Sequence, residues 1–119
     1  MHEPANAPSP QVCLTVLVPA SVEDRVVDWL LTHAEWQIEF SVHSVAARGP
    51  LVHLALSEER VRGFAHRVEV KLIVSRRRLD ALIEAFEALL VGVAGGYWVL
   101  PVERFAVFGQ VEASEVVEA

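Results

Sequence analysis

Arg48, Arg60 and Arg62 fall within one short stretch of a chain whose formal net charge is −6. A guanidinium presents a planar fork of donors that matches carboxylate and phosphate, so arginines grouped this way suit an anionic ligand or an acidic protein surface. Solvation of an exposed loop is the competing reading. A second group, Arg76, Arg77 and Arg78, stands at the start of a predicted helix, where the macrodipole disfavours cations. It reads either as an anion or partner contact, or as side chains that pair with acidic residues such as Asp80 or with Glu side chains across a subunit contact. Gly92, Gly95 and Gly96 either bring backbone N–H groups close to a phosphate or carboxylate, or simply let the chain leave a helix.

His43 and His53, with His33, His66 and several carboxylates, supply the imidazole and oxygen donors that zinc, copper or nickel take. No close pairing such as H-x-x-x-H organises them, and a histidine on a polar strand face is also an ordinary solvated side chain. Ser21, Ser41, Ser44 and Ser57 carry no nucleophile motif. The lone Cys13 lies in a predicted core strand, where a thiolate is disfavoured. The chain is therefore read as a non-enzyme with no catalytic residue, and one cysteine excludes an intrachain disulfide.

The 119 residues are 53% hydrophobic, enough to fill one core and too few for two domains. Mean hydropathy is positive, at +0.36. No apolar run approaches the roughly 20 residues of a spanning helix, so the surplus points to subunit contacts rather than membrane insertion. Lys71 is the only lysine among ten basic residues, and the clustered positive charge that nucleic acid requires is missing. Residues 1–10 lack the basic and apolar regions of a secretory signal and read as a flexible lead-in. Together with single-cysteine usage this predicts a cytoplasmic protein. Residues 11–110 form the predicted domain and 111–119 an acidic tail.

The elements that must position these residues follow from periodicity. VCLTVLV, residues 12–18, is apolar on both sides and predicts a central strand. Ser21 with Asp24 resembles a capping box for a helix to residue 32 or 33, with Val22, Val26, Val27, Leu30 and Leu31 on one face. Trp36, Ile38, Phe40 and Val42 alternate with polar residues in a second strand. Residues 46–63 break that pattern and predict a long loop. Val68, Val70, Leu72 and Val74 mark a third strand, antiparallel to the second.

Ser75 is placed to cap a second helix, in which Leu79, Leu82, Ile83, Phe86, Leu89 and Leu90 form a stripe. Residues 97–102 predict a fourth strand, with Pro101 favouring an edge or an end. Phe105, Val107 and Phe108 suit a short extra strand against a neighbouring chain. The order βαββαβ predicts an α+β, ferredoxin-like sandwich, an antiparallel sheet with two helices on one face. The other face then carries Cys13, Leu17, Ile73, Trp98 and Leu100 uncovered, which predicts self-association.

This order, the long loop and the run GGYWVLPVERF resemble the PII-like signalling superfamily. The runs CLTVLVPASVEDRVVDWLL and SEERVRG look like one uncharacterised PII-like family often encoded beside heavy-metal efflux pumps; the resemblance covers about residues 12–109. It implies a homotrimer whose loop reaches a partner, such as a transporter or another regulatory protein, and responds to a small ligand bound between subunits. The predicted ligand-binding residues are Arg48, Arg60, Arg62, Gly95, Gly96 and Arg104.

In classical nucleotide-binding members a lysine follows the glycines before strand four, whereas here Tyr97 follows Gly96. Those members also carry alternating arginines after the Pro-Val-Glu stretch, and this chain has Arg104 alone. Both departures argue against the classical ATP site. Uridylylation needs a loop tyrosine, and the only tyrosine is Tyr97. The alternative function is a metal-binding tolerance protein of the same fold using His43 and His53, with a divalent metal as its cofactor. A third is an interaction module with no ligand.

Overall fold

The computed structural model describes residues 10–49 and 65–109. Four strands, β1 (Gln11–Pro19), β2 (Glu39–Ala47), β3 (Ala65–Ser75) and β4 (Gly96–Pro101), form one antiparallel sheet in the order β2-β3-β1-β4. Two helices, α1 (Glu23–Thr32) and α2 (Arg76–Leu89), lie in the two connections β1 to β2 and β3 to β4. The arrangement is the ferredoxin-like α+β sandwich.

Parity along the strands explains which face the helices cover. Val12, Leu14, Val16 and Val18 of β1 and Val68, Val70, Leu72 and Val74 of β3 pack with Val26 and Leu30 of α1 and with Leu79, Leu82 and Phe86 of α2. Each such side chain removed from water contributes about 1.5–3 kcal/mol. The two central strands therefore carry the core. β2 and β4 lie at the edges, where Phe40, Val42 and Val99 are only partly buried. Pro101 ends the edge strand β4, a place where its missing N–H costs no ladder bond.

α2 starts as the sequence predicts. The Ser75 hydroxyl accepts from the Arg77 N–H at 3.2 Å, satisfying one of the free donors of the first turn. Ser75→Ala is expected to lower stability by about 1 kcal/mol in urea unfolding, with Ser75→Asp restoring most of it. A loss no larger than that of an exposed mid-helix Glu84→Ala would show that the cap contributes nothing.

α1 starts differently. The Ser21–Asp24 capping box does not form, because Pro19 leads directly into a 3₁₀ turn at Ala20–Val22, and Val22 precedes the helix without a side-chain cap. Glu23 and Asp24 in the first turn answer the helix dipole instead. Val22, Val26 and Leu30 form the buried stripe, whereas Leu31 points away and is 62% exposed.

β2 is also displaced. Residues Ala34–Trp36 make a 3₁₀ turn, and Gln37 takes a left-handed conformation (φ 55°) that redirects the chain into the strand. Trp36 is drawn out of the strand by an aromatic cluster. Trp29 stacks on His33 at 3.8 Å between centroids and meets Trp36 and Phe86 edge-on at 5.5 Å each. Arg78 lies over the Trp36 ring at 5.9 Å. At its other end β2 keeps Ala46 and Ala47 in the ladder, opposite His66 and Ala65, so the predicted loop starts two residues late. Most of that loop, and the acidic tail, lie outside the described residues.

The extra strand expected from Phe105, Val107 and Phe108 takes its ladder from a neighbouring chain; among the described residues of the single chain no regular element follows Pro101.

Candidate functional site

The sheet face turned away from the helices is built by the odd-numbered residues of β1, β2 and β3 and the even-numbered residues of β4. Register sets Ser41, Lys71, Thr15 and Trp98 in one row across the sheet, and His43, Glu69, Leu17 and Gly96 in the next. A third row holds Val45, Arg67 and Pro19. The β2–β3 half is polar. The Ser41 hydroxyl and His43 Nε2 share a hydrogen bond at 2.8 Å, and Lys71 Nζ lies 3.8 Å from a Glu69 carboxylate oxygen.

The β1–β4 half is apolar. Cys13 is flanked by Ile73 and Leu100 in register, and Thr15 by Lys71 and Trp98. Thr15 and Leu17 are buried even though no helix covers them, while Leu100 and Trp98 remain exposed. This is the apolar face that the sequence assigns to Cys13, Leu17, Ile73, Trp98 and Leu100.

Where the two halves meet, at the end of the sheet from which β2 leaves, lies a hollow of about 380 Å³ lined by Leu17, Val45, Ala47, Arg48, Glu69 and Trp98. Its chemistry is mixed: an indole for stacking, a guanidinium for an anion and a carboxylate for a hydroxyl or amine. Of the predicted ligand residues, Arg48 lines this hollow. Arg60, Arg62 and His53 lie outside the described residues. Glu69 and Trp98 were not singled out as ligand residues by sequence. The signal that finds them is strand parity, because residues 17, 69 and 98 share the open face only once the register is known.

Gly95 answers a packing need. A Cβ on Gly95 would run into the Leu17 carbonyl oxygen and stand 3.6 Å from the Val18 Cα, so the turn into β4 approaches β1 at backbone distance. On the helical side Gly95 and Gly96, with Tyr97, close a second hollow of about 230 Å³. Its walls are Val16 and Val18 of β1, Ile83 and Phe86 of α2 and Leu90 just past its end, with Glu87 at its rim.

The other predicted cations lie elsewhere. The Arg76 N–H donates to the Pro10 carbonyl at 2.8 Å and the Val102 N–H to the Gln11 carbonyl at 3.2 Å. Both the start of α2 and the end of β4 are thereby tied to the beginning of β1. Arg76, Arg77, Arg78 and Arg104 stand toward that end, roughly 25 Å along the strand from the hollow. The expected pairing with Asp80 is not made among the described residues. Arg78 instead reaches the Glu35 carbonyl at 3.5 Å over the face of Trp36, leaving Arg76 and Arg77 exposed.

The described histidines, His33, His43 and His66, do not converge. His33 stacks on Trp29 and contacts its carbonyl through Nδ1 at 2.8 Å. His43 is on the open face and His66 at the start of β3. Among the described residues no three metal-ligating side chains come together.

Solved structures share this fold. A DUF3240 family protein from Shewanella baltica superposes with a TM-score of 0.66 at 16% identity, covering 83% of this chain and 97% of the other. PII of Arabidopsis thaliana bound to citrate gives 0.60 at 18%, covering 79% and 78%. A nitrogen regulatory PII-like protein from Thiomonas intermedia, bound to ADP, AMP and bicarbonate, gives 0.57 at 16%, covering 82% and 97%. No curated protein sequence matches the chain. Among the described residues no helix is long and apolar enough to cross a membrane. The architecture is that of the PII-like proteins, and since the family model for DUF3240, a protein of unknown function, matches residues 8–111, the chain belongs to the DUF3240 family.

Proposed function

We propose that this chain is a non-enzymatic, homotrimeric PII-like regulatory protein of the cytoplasm. In this reading it binds a small anionic ligand in the hollow on its open sheet face and passes the bound state to a partner, such as a transport system, through the residues after β2. The observation that carries the reading is the hollow itself. Leu17, Trp98, Glu69 and Arg48 gather at the root of the segment that joins β2 to β3. A ligand held there touches both the rigid sheet and the first residue beyond β2, so binding changes the energetics of that segment.

Two proteins of the same fold are bound to small anions, one to citrate and one to ADP, AMP and bicarbonate. Tyr97 in place of a lysine after Gly96 favours a small anion over a triphosphate. The trimer reading draws its support from Trp98 and Leu100, large apolar side chains exposed beside Cys13 and Ile73.

Thermal-shift titration with citrate, AMP, ADP and bicarbonate tests the ligand. At a hundredfold excess over Kd the stabilisation is about 2.7 kcal/mol. Arg48→Glu is expected to weaken binding by about tenfold or more, the loss of one charge-assisted contact. Light scattering tests the assembly, with a trimer expected for the native chain and a smaller species for Trp98→Glu. A flat screen with all four anions removes the ligand, and a native monomer removes the assembly.

A further inference from the structure

The hollow on the open sheet face brings opposite charges to one space. Arg48 lines it from the first residue past β2 and Glu69 from within β3, while Leu17, Val45, Ala47 and Trp98 supply apolar wall. Glu69 pairs with Leu17 on one side and His43 on the other, so the central ladder holds its backbone in place. Its side chain is 23% exposed, and among the described residues its one ion pair is to Lys71, at 3.8 Å. That separation is beyond the roughly 2.7–3.2 Å of a direct N–H···O bond. The carboxylate accepts at two oxygens, and a half-buried one without a direct charge-assisted bond has room for a cationic donor.

An anion alone does not suit both charges. Seated on Arg48, it fills a hollow whose other charged wall, Glu69, repels it. A ligand with a carboxylate and an ammonium meets each wall with its opposite. It needs no net charge, which suits a chain whose own formal charge is −6. Size and wall chemistry narrow the class further. About 380 Å³ is the share of roughly twelve liquid waters, room for an amino acid with a large side chain. The wall that such a side chain meets is Trp98, 37% exposed, with Leu17 and Val45 beside it.

We propose that the ligand of this hollow is a zwitterion, an amino acid with an apolar or aromatic side chain, its carboxylate on Arg48, its ammonium on Glu69 and its side chain against Trp98. The inference rests on the reading of the hollow as the site of an anionic group and adds the ammonium to it. Glu69 then acts as the specificity residue, separating an amino acid from the simple carboxylate of the same shape.

Calorimetric titration near neutral pH compares three probes of one shape: L-phenylalanine, 3-phenylpropionate, which lacks the ammonium, and phenethylamine, which lacks the carboxylate. Phenylalanine is expected to bind the native chain about tenfold or more tightly than either, since each of the others forfeits one charge-assisted contact. Glu69→Gln, nearly the same size, is expected to bring phenylalanine and phenylpropionate to within about twofold of each other, with circular dichroism verifying the fold. Phenylpropionate binding as tightly as phenylalanine overturns the zwitterion and leaves the anion site standing. Binding of citrate, AMP, ADP or bicarbonate without binding of phenylalanine does the same. A preference for phenylalanine that survives Glu69→Gln overturns the inference too. Phenethylamine binding as tightly as phenylalanine takes the anion out of the hollow, and silence from all the probes and all four anions removes both readings.

Discussion

Gly95→Ala is expected to destabilise the fold by about 3 kcal/mol, a drop of roughly 15 °C in Tm for a domain of this size. The cause is a close approach of backbones. Of Gly49, Gly92, Gly95 and Gly109, Gly95 is where an added methyl meets main chain, the Leu17 carbonyl, with the Val18 Cα beyond it. A side chain in the way rotates aside at small cost; a carbonyl within a strand does not. Leu17 pairs with Gly96 on one side and Glu69 on the other, so relief means pulling the turn away from β1 or bending the central strand.

Gly92 is the control. Its φ of +80° is left-handed, but nothing lies within 4 Å of an added Cβ. Gly92→Ala therefore carries only the conformational cost, about 1–2 kcal/mol, and Gly92→Asn less. A calorimetric Tm for Gly95→Ala within about 3 °C of the native value would show that the turn moves freely. The glycines would then be available for a ligand-approach role rather than a packing one.

The contrast between these glycines shows where sequence reading reaches its limit. Gly92, Gly95 and Gly96 look alike in the chain, and both a phosphate approach and a simple turn explain them. Only the β1–β4 register assigns one of them to a backbone contact. The helical stripe of α2 and the alternation of β3 were legible because each pattern depends on local period alone. Ser75 was legible for the same reason, since a cap acts within its own first turn.

Trp36 was not. Its alternation with Ile38, Phe40 and Val42 suits a strand, but contacts with Trp29 and Arg78, from two other elements, hold it in a turn. Leu31 failed similarly: it lies near the helical stripe but just outside the arc that the sheet covers. The candidate site follows this pattern. Arg48 was visible as a cation near the end of a strand, whereas Glu69 and Trp98 join it only through pairings across three strands. Arg76, Arg77, Arg78 and Arg104 form a second basic region because the Arg76 and Val102 amides both bind the start of β1. Spacing in the chain carries no trace of that.

Phe86→Ala is expected to cost about 4 kcal/mol, the largest loss from a single truncation at the helix–sheet contact. Three terms set the value. Phe86 is 4% exposed, so removing its ring forfeits most of the transfer free energy of an aromatic side chain. It also meets Trp29 edge-on at 5.5 Å, a contact worth about 0.5–1.5 kcal/mol beyond burial. The cavity term works the other way. Phe86 borders the cleft beside β4, so the space left by the ring joins a hollow that already opens to solvent and is not a sealed void.

Leu82, fully buried and absent from the cleft lining, has no such outlet. Leu82→Ala is expected to cost about 3 kcal/mol, nearly as much for a smaller side chain. Leu89→Ala, at a half-buried position on the same helix, should cost about 1 kcal/mol. Urea unfolding at constant m separates the three. With total stabilities of about 5–15 kcal/mol for natural domains, Phe86→Ala leaves little reserve. A loss for Phe86→Ala no greater than for Leu89→Ala would place the ring outside the load between helix and sheet. The aromatic cluster around Trp29 would then be decoration on a core made by the aliphatic residues of β1 and β3.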